Sequence, residues 1–366
     1  MQRPLAYRFQ KALSKRYTQH GTRHISILSL LPAVLVPPVV FGGLVISLWM
    51  YKCAMMVLFQ NKIIYMPGVP LGAKRETLQD YKHLFKGIQW HEHHNHIATS
   101  DGKRLSSVTA TTGGSQAGKK HILVLYLQGN ASSTPPRLPY LSTILSTLAK
   151  DKTTKYTFLV PSYRGYWTST GTPSQAGIER DLSAIFNHLE TAPQYADTEV
   201  ILWGQSIGCG IALKGWADYL RSFSSSSGGL GVRVTGLILE TPFVSVPNML
   251  RALYPQRWLP YRYLSVFLWS TWDMAACAEV LGRGGGVRVL VVSAGMDEVV
   301  PAGETDEVVQ VVGGAVGRER VRSVVVKGAL HVECAIRPQG REEIVRFIEG
   351  LSDVGENSCQ KKTPFQ

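Results

Sequence analysis

The strongest constraint in this chain is a series of short apolar runs that do not alternate with polar residues, such as ILVLYL at 122–127 and VRVLVVS at 287–293. A strand with one wet face alternates, whereas an unbroken run suits a parallel strand covered on both faces. Eight such β-rich runs occur, at 90–98, 105–111, 122–127, 157–160, 200–203, 234–240, 287–293 and 321–326. Helical stretches lie between them, near 137–150, 175–191, 207–220, 302–312 and 342–351. The alternation predicts βαβ units, hence an α/β domain over residues 87–351 with a mostly parallel, eight-stranded sheet and helices on both faces. Two segments interrupt the order. Residues 222–231 (SFSSSSGGLG) form a Ser/Gly-rich stretch, expected as a flexible loop. Residues 242–276 are rich in aromatics, including Phe243, Tyr254, Trp258 and Trp269, and fall where a small cap would cover a pocket. Residues 352–366 are expected as a tail.

The formal net charge of +13 is concentrated at one end. Residues 1–75 carry ten Lys or Arg and no Asp or Glu, so little positive field is left for the rest, and nucleic acid is excluded as a partner. From Ile25 to Tyr51 there is no charged residue, which is long enough for a helical membrane span. Pro32, Pro37 and Pro38 are expected to kink it, leaving Val39–Leu48 as its most regular part. The basic segment 1–24 ahead of the span predicts an uncleaved, single-pass anchor with a cytoplasmic N-terminus, in the endoplasmic reticulum or plasma membrane. Residues 52–86 read as a connector whose apolar part, Met55–Met66, skims the membrane or packs on the domain. The five cysteines show no CxxC pair, so no zinc ribbon or redox motif is encoded.

Gly204-Gln205-Ser206-Ile207-Gly208 fits G-x-S-x-G, a sharp strand-to-helix turn that exposes a nucleophilic serine. Alone the pattern has little weight in a Gly- and Ser-rich chain. Its context carries it: the apolar run VILW precedes it and a helix-competent stretch follows. A serine hydroxyl needs a base within hydrogen-bond reach. On this kind of sheet the order along the chain is serine, acid, histidine. Of ten histidines only His331 follows Ser206, so it is the expected base. The acid should follow the penultimate strand, where Asp297 fits best; Glu298 is adjacent, and Asp273 and Asp306 fit less well. For the oxyanion the expected backbone donors are the N–H groups of Ile207 and Asn130, with Ala131 as the alternative to Asn130. Asn130-Ala131-Ser132 is also formally a glycosylation sequon, expected to be inaccessible in such a turn.

The run HEHHNH (His91 to His96) invites a metal reading, since strict alternation puts Glu92, His94 and His96 on one face. A solvated edge strand is the expected reading instead, and neither a metal nor an organic cofactor is expected.

The segments FQNKIIYMP, QGNAS, SYRGYWTSTGTPSQAGIERD, WGQSIGCGIAL, LETPF and AGMDEVVP, with the terminal LH pair, cover about residues 58–350. Through them the chain resembles the single-pass, membrane-anchored α/β-hydrolases of the bud-emergence (Bem-type) branch, which are related to α/β-hydrolase-domain proteins and serine aminopeptidase-type hydrolases. The resemblance implies a triad of Ser206, Asp297 and His331 and an uncleaved anchor. Gln128 stands where the family carries His, and Trp167 where it carries Gly, so an altered oxyanion turn and a crowded pocket are expected. The resulting expectation is a membrane-anchored serine hydrolase cleaving an ester or thioester of a lipid or acylated protein, a hydrophobic substrate. A catalytically inactive membrane scaffold and a serine peptidase are the alternatives.

Overall fold

The computed structural model describes residues 32–112, 120–223, 231–282 and 286–359, with side chains described to Leu351. Most of the Ser/Gly-rich loop, the basic segment 1–24 and the first part of the expected span therefore lie outside the described residues. In chain order the elements are α1 (Val36–Leu58), α2 (Gln60–Tyr65), α3 (Leu78–Tyr81), β1 (His91–Ala98), β2 (Arg104–Thr112), β3 (Lys120–Leu127), α4 (Leu138–Leu148) and β4 (Thr154–Pro161). They continue with α5 (Gln175–Thr191), β5 (Glu199–Gln205), α6 (Ile207–Phe223), β6 (Arg233–Glu240), α7 (Val246–Leu253), α8 (Met274–Leu281), β7 (Arg288–Ala294), α9 (Ala302–Val316), β8 (Val321–Val326) and α10 (Pro338–Cys359).

The chain divides into two units, residues 1–52 and 53–366. In the first, α1 begins at Val36, so Pro37 and Pro38 occupy its opening turn. Proline is tolerated there because an N–H in the first turn of an α-helix has no acceptor within that helix. The apolar stretch Ala33–Leu58, of mean hydropathy 2.1, is long enough to cross a bilayer. The helix thus reaches Leu58, past the Tyr51 boundary expected from charge, because Lys52 does not interrupt helix geometry.

In the second unit the eight strands form one sheet in the order β1-β2-β4-β3-β5-β6-β7-β8. β2 pairs antiparallel with β1 and β4, and every pairing from β4 to β8 is parallel. Both faces are covered, which explains the missing alternation. Leu123, Leu125 and Leu127 of β3 join a core with α5, α6, α8 and α9. Ile122, Val124 and Tyr126 join a second core with α4 and α10 on the other face. All seven residues of β5 are buried. Each fully buried Val, Leu or Ile contributes roughly 1.5–3 kcal/mol, so the central strands carry much of the stability.

Met274, Cys277 and Leu281 of α8 belong to the first core, so that helix is part of the sheet's covering layer and the cap segment closes ahead of it. Helix α10 continues to Cys359, into the stretch expected as tail. β1 is an edge strand, but its alternation is broken: Asn95 has φ 51° and the pairing register shifts between His93 and Ile97. This bulge takes His96 off the face it was expected to share with Glu92 and His94. His94 pairs with Glu92 (2.7 Å), whereas the His96 ring lies 5.2 Å from both His93 and His188. Among the described residues no group of three or more His, Cys, Asp or Glu side chains is arranged to hold a metal.

Candidate active site

Ser206 follows β5 directly and begins no regular element of its own; its φ is 54°, the left-handed region that side chains seldom occupy. The flanking glycines are required by space. A Cβ on Gly204 would lie 2.5 Å from the Cys209 backbone nitrogen, and one on Gly208 would lie 2.1 Å from Leu127 O. The turn can therefore bend against the end of β3 only with glycine at both places. The Ser206 N–H donates to Glu240 O (2.8 Å), locking the turn to the end of β6.

The structure brings the three expected side chains together from loops after β5, β7 and β8. His331 Nε2 lies 2.9 Å from Ser206 Oγ, and His331 Nδ1 lies 3.0 and 2.9 Å from Asp297 Oδ1 and Oδ2. A carboxylate only accepts, so Nδ1 carries the hydrogen and Nε2 turns its lone pair to the serine. Burial pushes the Asp297 carboxyl upward. The hydrogen bond from His331 and those from the Val300 and Val299 N–H groups outweigh it and hold the group below the usual carboxylate range. Glu298 also bears on the histidine, through the backbone: its Oε2 accepts the His331 N–H (3.0 Å). Asp273 instead caps α8, accepting the Ala276 N–H, and Asp306 is exposed on α9.

Between Asn130 and Ala131 the hydrogen bonds decide which donor is free. The Ala131 N–H is used by Tyr65 O (2.9 Å), whereas the Asn130 N–H has no acceptor among the described residues. The Ile207 N–H, at the first position of α6, lies among the helix's orphan donors. Asn130 and Ile207 line the same cavity as Ser206. Asn130 is exposed, contrary to the inaccessibility expected of its sequon. Gln128 is fully buried, and its side-chain amide has no partner among the described residues; its backbone carbonyl accepts from Tyr163 OH (3.1 Å). Trp167 does not line the cavity. Its φ of 43° explains why glycine suits this position, and its indole N–H donates to Glu76 O (2.8 Å), away from the serine.

Several supporting residues carry no local signal in the sequence. Arg137 is buried beneath the turn and donates to Ala131 O (3.1 Å) and Gln205 Oε1 (2.7 Å), which also accepts from Tyr126 OH. Glu240 is fully buried and accepts from the Trp203 indole (3.0 Å) and the Ala335 N–H (3.1 Å), tying the strand behind Ser206 to the loop carrying His331. Burial pushes its carboxyl up to about 7 against the pull of those two donors. Tyr65 accepts from the Trp272 indole (2.9 Å) and donates to Ser270 Oγ (2.9 Å), so the connector holds the cap.

A cavity of about 250 Å³ opens over Ser206. Its walls are almost wholly apolar: Met56, Val57 and Ile64 on one side, and Phe243, Met249 and Phe267 on the cap side.

Fold and sequence agree on the family. A solved α/β-hydrolase of Vibrio vulnificus shares the fold, with a TM-score of 0.51 at 18% identity over 78% of this chain and 91% of that one. In sequence the chain is 27% identical to the α/β-hydrolase domain-containing protein WAV2 of Arabidopsis thaliana over 71% of this chain and 77% of that protein. The chain has the α/β-hydrolase fold and is related in sequence to α/β-hydrolases. A solved esterase of Pyrobaculum calidifontis has the same fold, with a TM-score of 0.50 at 15% identity over 77% of this chain and 91% of that one. No protein-family model matches. Protein bem46 of Schizosaccharomyces pombe is 26% identical over 66% of this chain and 71% of that protein. The lysophosphatidylserine lipase ABHD12 of Gallus gallus is 29% identical over 43% of this chain, a match spanning 36% of that protein. A lipase is thus among its sequence relatives, and an esterase among the proteins that share its fold.

Proposed function

We propose that this chain is a membrane-anchored serine hydrolase that cleaves acyl esters or thioesters, with Ser206 as nucleophile, His331 as base and Asp297 as the acid that orients it. The observation that carries the reading is the unbroken relay from the Asp297 carboxylate through the imidazole to Ser206 Oγ, with each gap at or under 3.0 Å. Ser206 Oγ attacks the acyl carbon while its proton passes to His331 Nε2, and Asp297 stabilises the imidazolium through the Nδ1 hydrogen. The Asn130 and Ile207 N–H groups receive the oxyanion. The imidazolium then protonates the departing alcohol or thiol, and a water, activated by the same nitrogen, releases the carboxylic acid and restores the serine.

The apolar walls over Ser206 support an acyl chain as the bound part of the substrate. The relation to a lysophosphatidylserine lipase supports a lipid carrying such a chain. The helix Ala33–Leu58 is proposed as the anchor. Reaction with a fluorophosphonate probe tests the reading: labelling of the wild type that is lost in Ser206→Ala supports it. Folded wild-type protein that does not label through Ser206 is an inactive scaffold.

A further inference from the structure

The outer wall of the cavity is made by two stretches distant in sequence: the end of α1 with α2, and the cap from α7 through the 3₁₀ helix Pro260–Phe267. Gln60 joins them, donating to Phe267 O (3.0 Å) and accepting the Trp269 N–H (2.6 Å). Within the cap, the Arg262 guanidinium donates to the carbonyls of Arg251, Tyr254 and Pro255, fastening the 3₁₀ helix to the end of α7.

These linked stretches present large apolar side chains to the outside. Leu58, Leu253, Trp258, Val266, Phe267 and Trp269 are 55–79% exposed. A folded surface ordinarily scatters such residues singly, and a set gathered around a cavity mouth marks a contact surface. Their aromatic share matters too, because Trp and Tyr favour the membrane–water boundary, where an apolar ring and a polar edge are both satisfied.

Charge identifies the partner. Residues 53–65, which supply one side of the rim, hold Lys62, and residues 242–272 hold Arg251, Arg257 and Arg262; neither stretch contains an Asp or Glu. With 26 acids in 366 residues, segments of this combined length should hold roughly three. Two stretches that are apolar, aromatic and basic without a carboxylate suit an anionic lipid leaflet. Chain continuity points the same way: in sequence, Met56 and Val57, which line the cavity, belong to the end of the apolar run proposed as anchor.

We infer that this rim docks on an anionic leaflet and that the acyl chain passes from the bilayer into the cavity without crossing water. The inference rests on the acyl-hydrolase reading and adds where the substrate comes from. It makes the preferred substrate a long-chain ester already resident in the membrane, and it makes hydrolysis faster when the vesicles contain phosphatidylserine.

The test uses the full chain reconstituted in phosphatidylcholine vesicles with and without phosphatidylserine. Docking is read independently of catalysis, by tryptophan quenching with brominated acyl chains. Brominated vesicles should remove the emission difference between wild type and the Trp258→Phe/Trp269→Phe variant. A difference equal in brominated and ordinary vesicles places the rim in water or against a protein and overturns the inference. Catalysis is then compared in Trp258→Glu/Val266→Glu, neither of which lines the cavity. Hydrolysis of a long-chain monoacyl lipid in vesicles should fall by about tenfold or more, with turnover of a short-chain soluble ester and fluorophosphonate labelling unchanged. An unchanged rate on vesicle lipid, or a loss shared equally by the soluble ester, overturns it. A wild type that hydrolyses neither substrate defeats the acyl-hydrolase reading, while the quenching result still decides whether the rim docks.

Discussion

Replacing Asp297 by Asn exchanges one acceptor oxygen for a donor, and the surrounding N–H groups dictate which one. Asp297 Oδ1 accepts the N–H groups of Val299 (2.9 Å) and Val300 (2.8 Å), while Oδ2 lies 2.9 Å from His331 Nδ1. An amide NH₂ only donates, so it cannot stand where two backbone N–H groups point. The Asp297→Asn side chain would keep its carbonyl oxygen there and turn its NH₂ towards His331. Flipping the amide would instead leave two N–H donors facing a donor, costing about 1–3 kcal/mol for each. With an NH₂ 2.9 Å in front of it, Nδ1 accepts in preference to donating across 3.0 Å to a carbonyl oxygen already taken by two N–H groups, and the imidazole hydrogen moves to Nε2. Nε2 then donates to Ser206 Oγ and can no longer take its proton. The expected loss in kcat is about 10⁴-fold, near 5 kcal/mol of transition-state stabilisation. Thermal stability should change by less than about 1 kcal/mol, because the carbonyl still serves Val299 and Val300. Steady-state hydrolysis of a soluble ester and the rate of fluorophosphonate labelling both measure the loss. A decrease under tenfold in a folded variant would refute the reasoning. So would an equal loss in Glu298→Gln, whose carboxylate holds only the backbone of His331.

The same structure sets three other outcomes. Gly208→Ala should abolish both folding of the elbow and Ser206 labelling, because the new Cβ would meet Leu127 O at 2.1 Å; labelling at wild-type rate would show that the backbone there can give way. Arg164→Ala should cost about 3–5 kcal/mol in urea unfolding, because it strips the fully buried Asp181 of its partner at 2.8 Å; a loss under about 1 kcal/mol would show that the site admits water. Glu240, raised to about 7 from 4.5, should make stability fall as pH rises between those values, since the folded state there holds a proton that the unfolded state has released. The fall is on the order of 3 kcal/mol, and Glu240→Gln should flatten it; melts at pH 5 and pH 8 that shift equally in both proteins would contradict this.

The parts of this molecule legible in its sequence are those that depend on local pattern. The central strands are visible because burial on both faces leaves an uninterrupted apolar run, and β3 shows it, with ILVLYL divided between two cores. Strand ends differ from expectation where flanking polar residues continue the ladder, as Thr154 and Lys155 do in β4. The grouping of Ser206, Asp297 and His331 is legible for a related reason: a parallel sheet sends the chain back to the same edge after every strand, so order along the chain becomes proximity in space. The bulge at Asn95 is not, because a positive φ at asparagine leaves no mark on the residues around it.

The hidden features depend on partners far away in the chain. Gln60 and Tyr65 read as connector residues, yet they hold the cap through contacts with Phe267, Trp269, Ser270 and Trp272, some 205 to 209 positions on. The aromatic content of 242–276 signals a cap but gives no means of sorting its rings, and the structure turns Phe243 and Tyr254 to the cavity, sets Phe267 at its mouth and leaves Trp258 and Trp269 facing outward. That sorting carries a functional consequence. The residues linking the apolar helix to the domain also build one wall over Ser206, so lengthening the connector beyond Val57 would separate Met56 and Val57 from the rest of that wall. A flexible insertion after Lys52 keeps that wall and tests anchorage; one after Leu58 breaks α1 from α2 and should impair turnover of long acyl chains more than that of short ones.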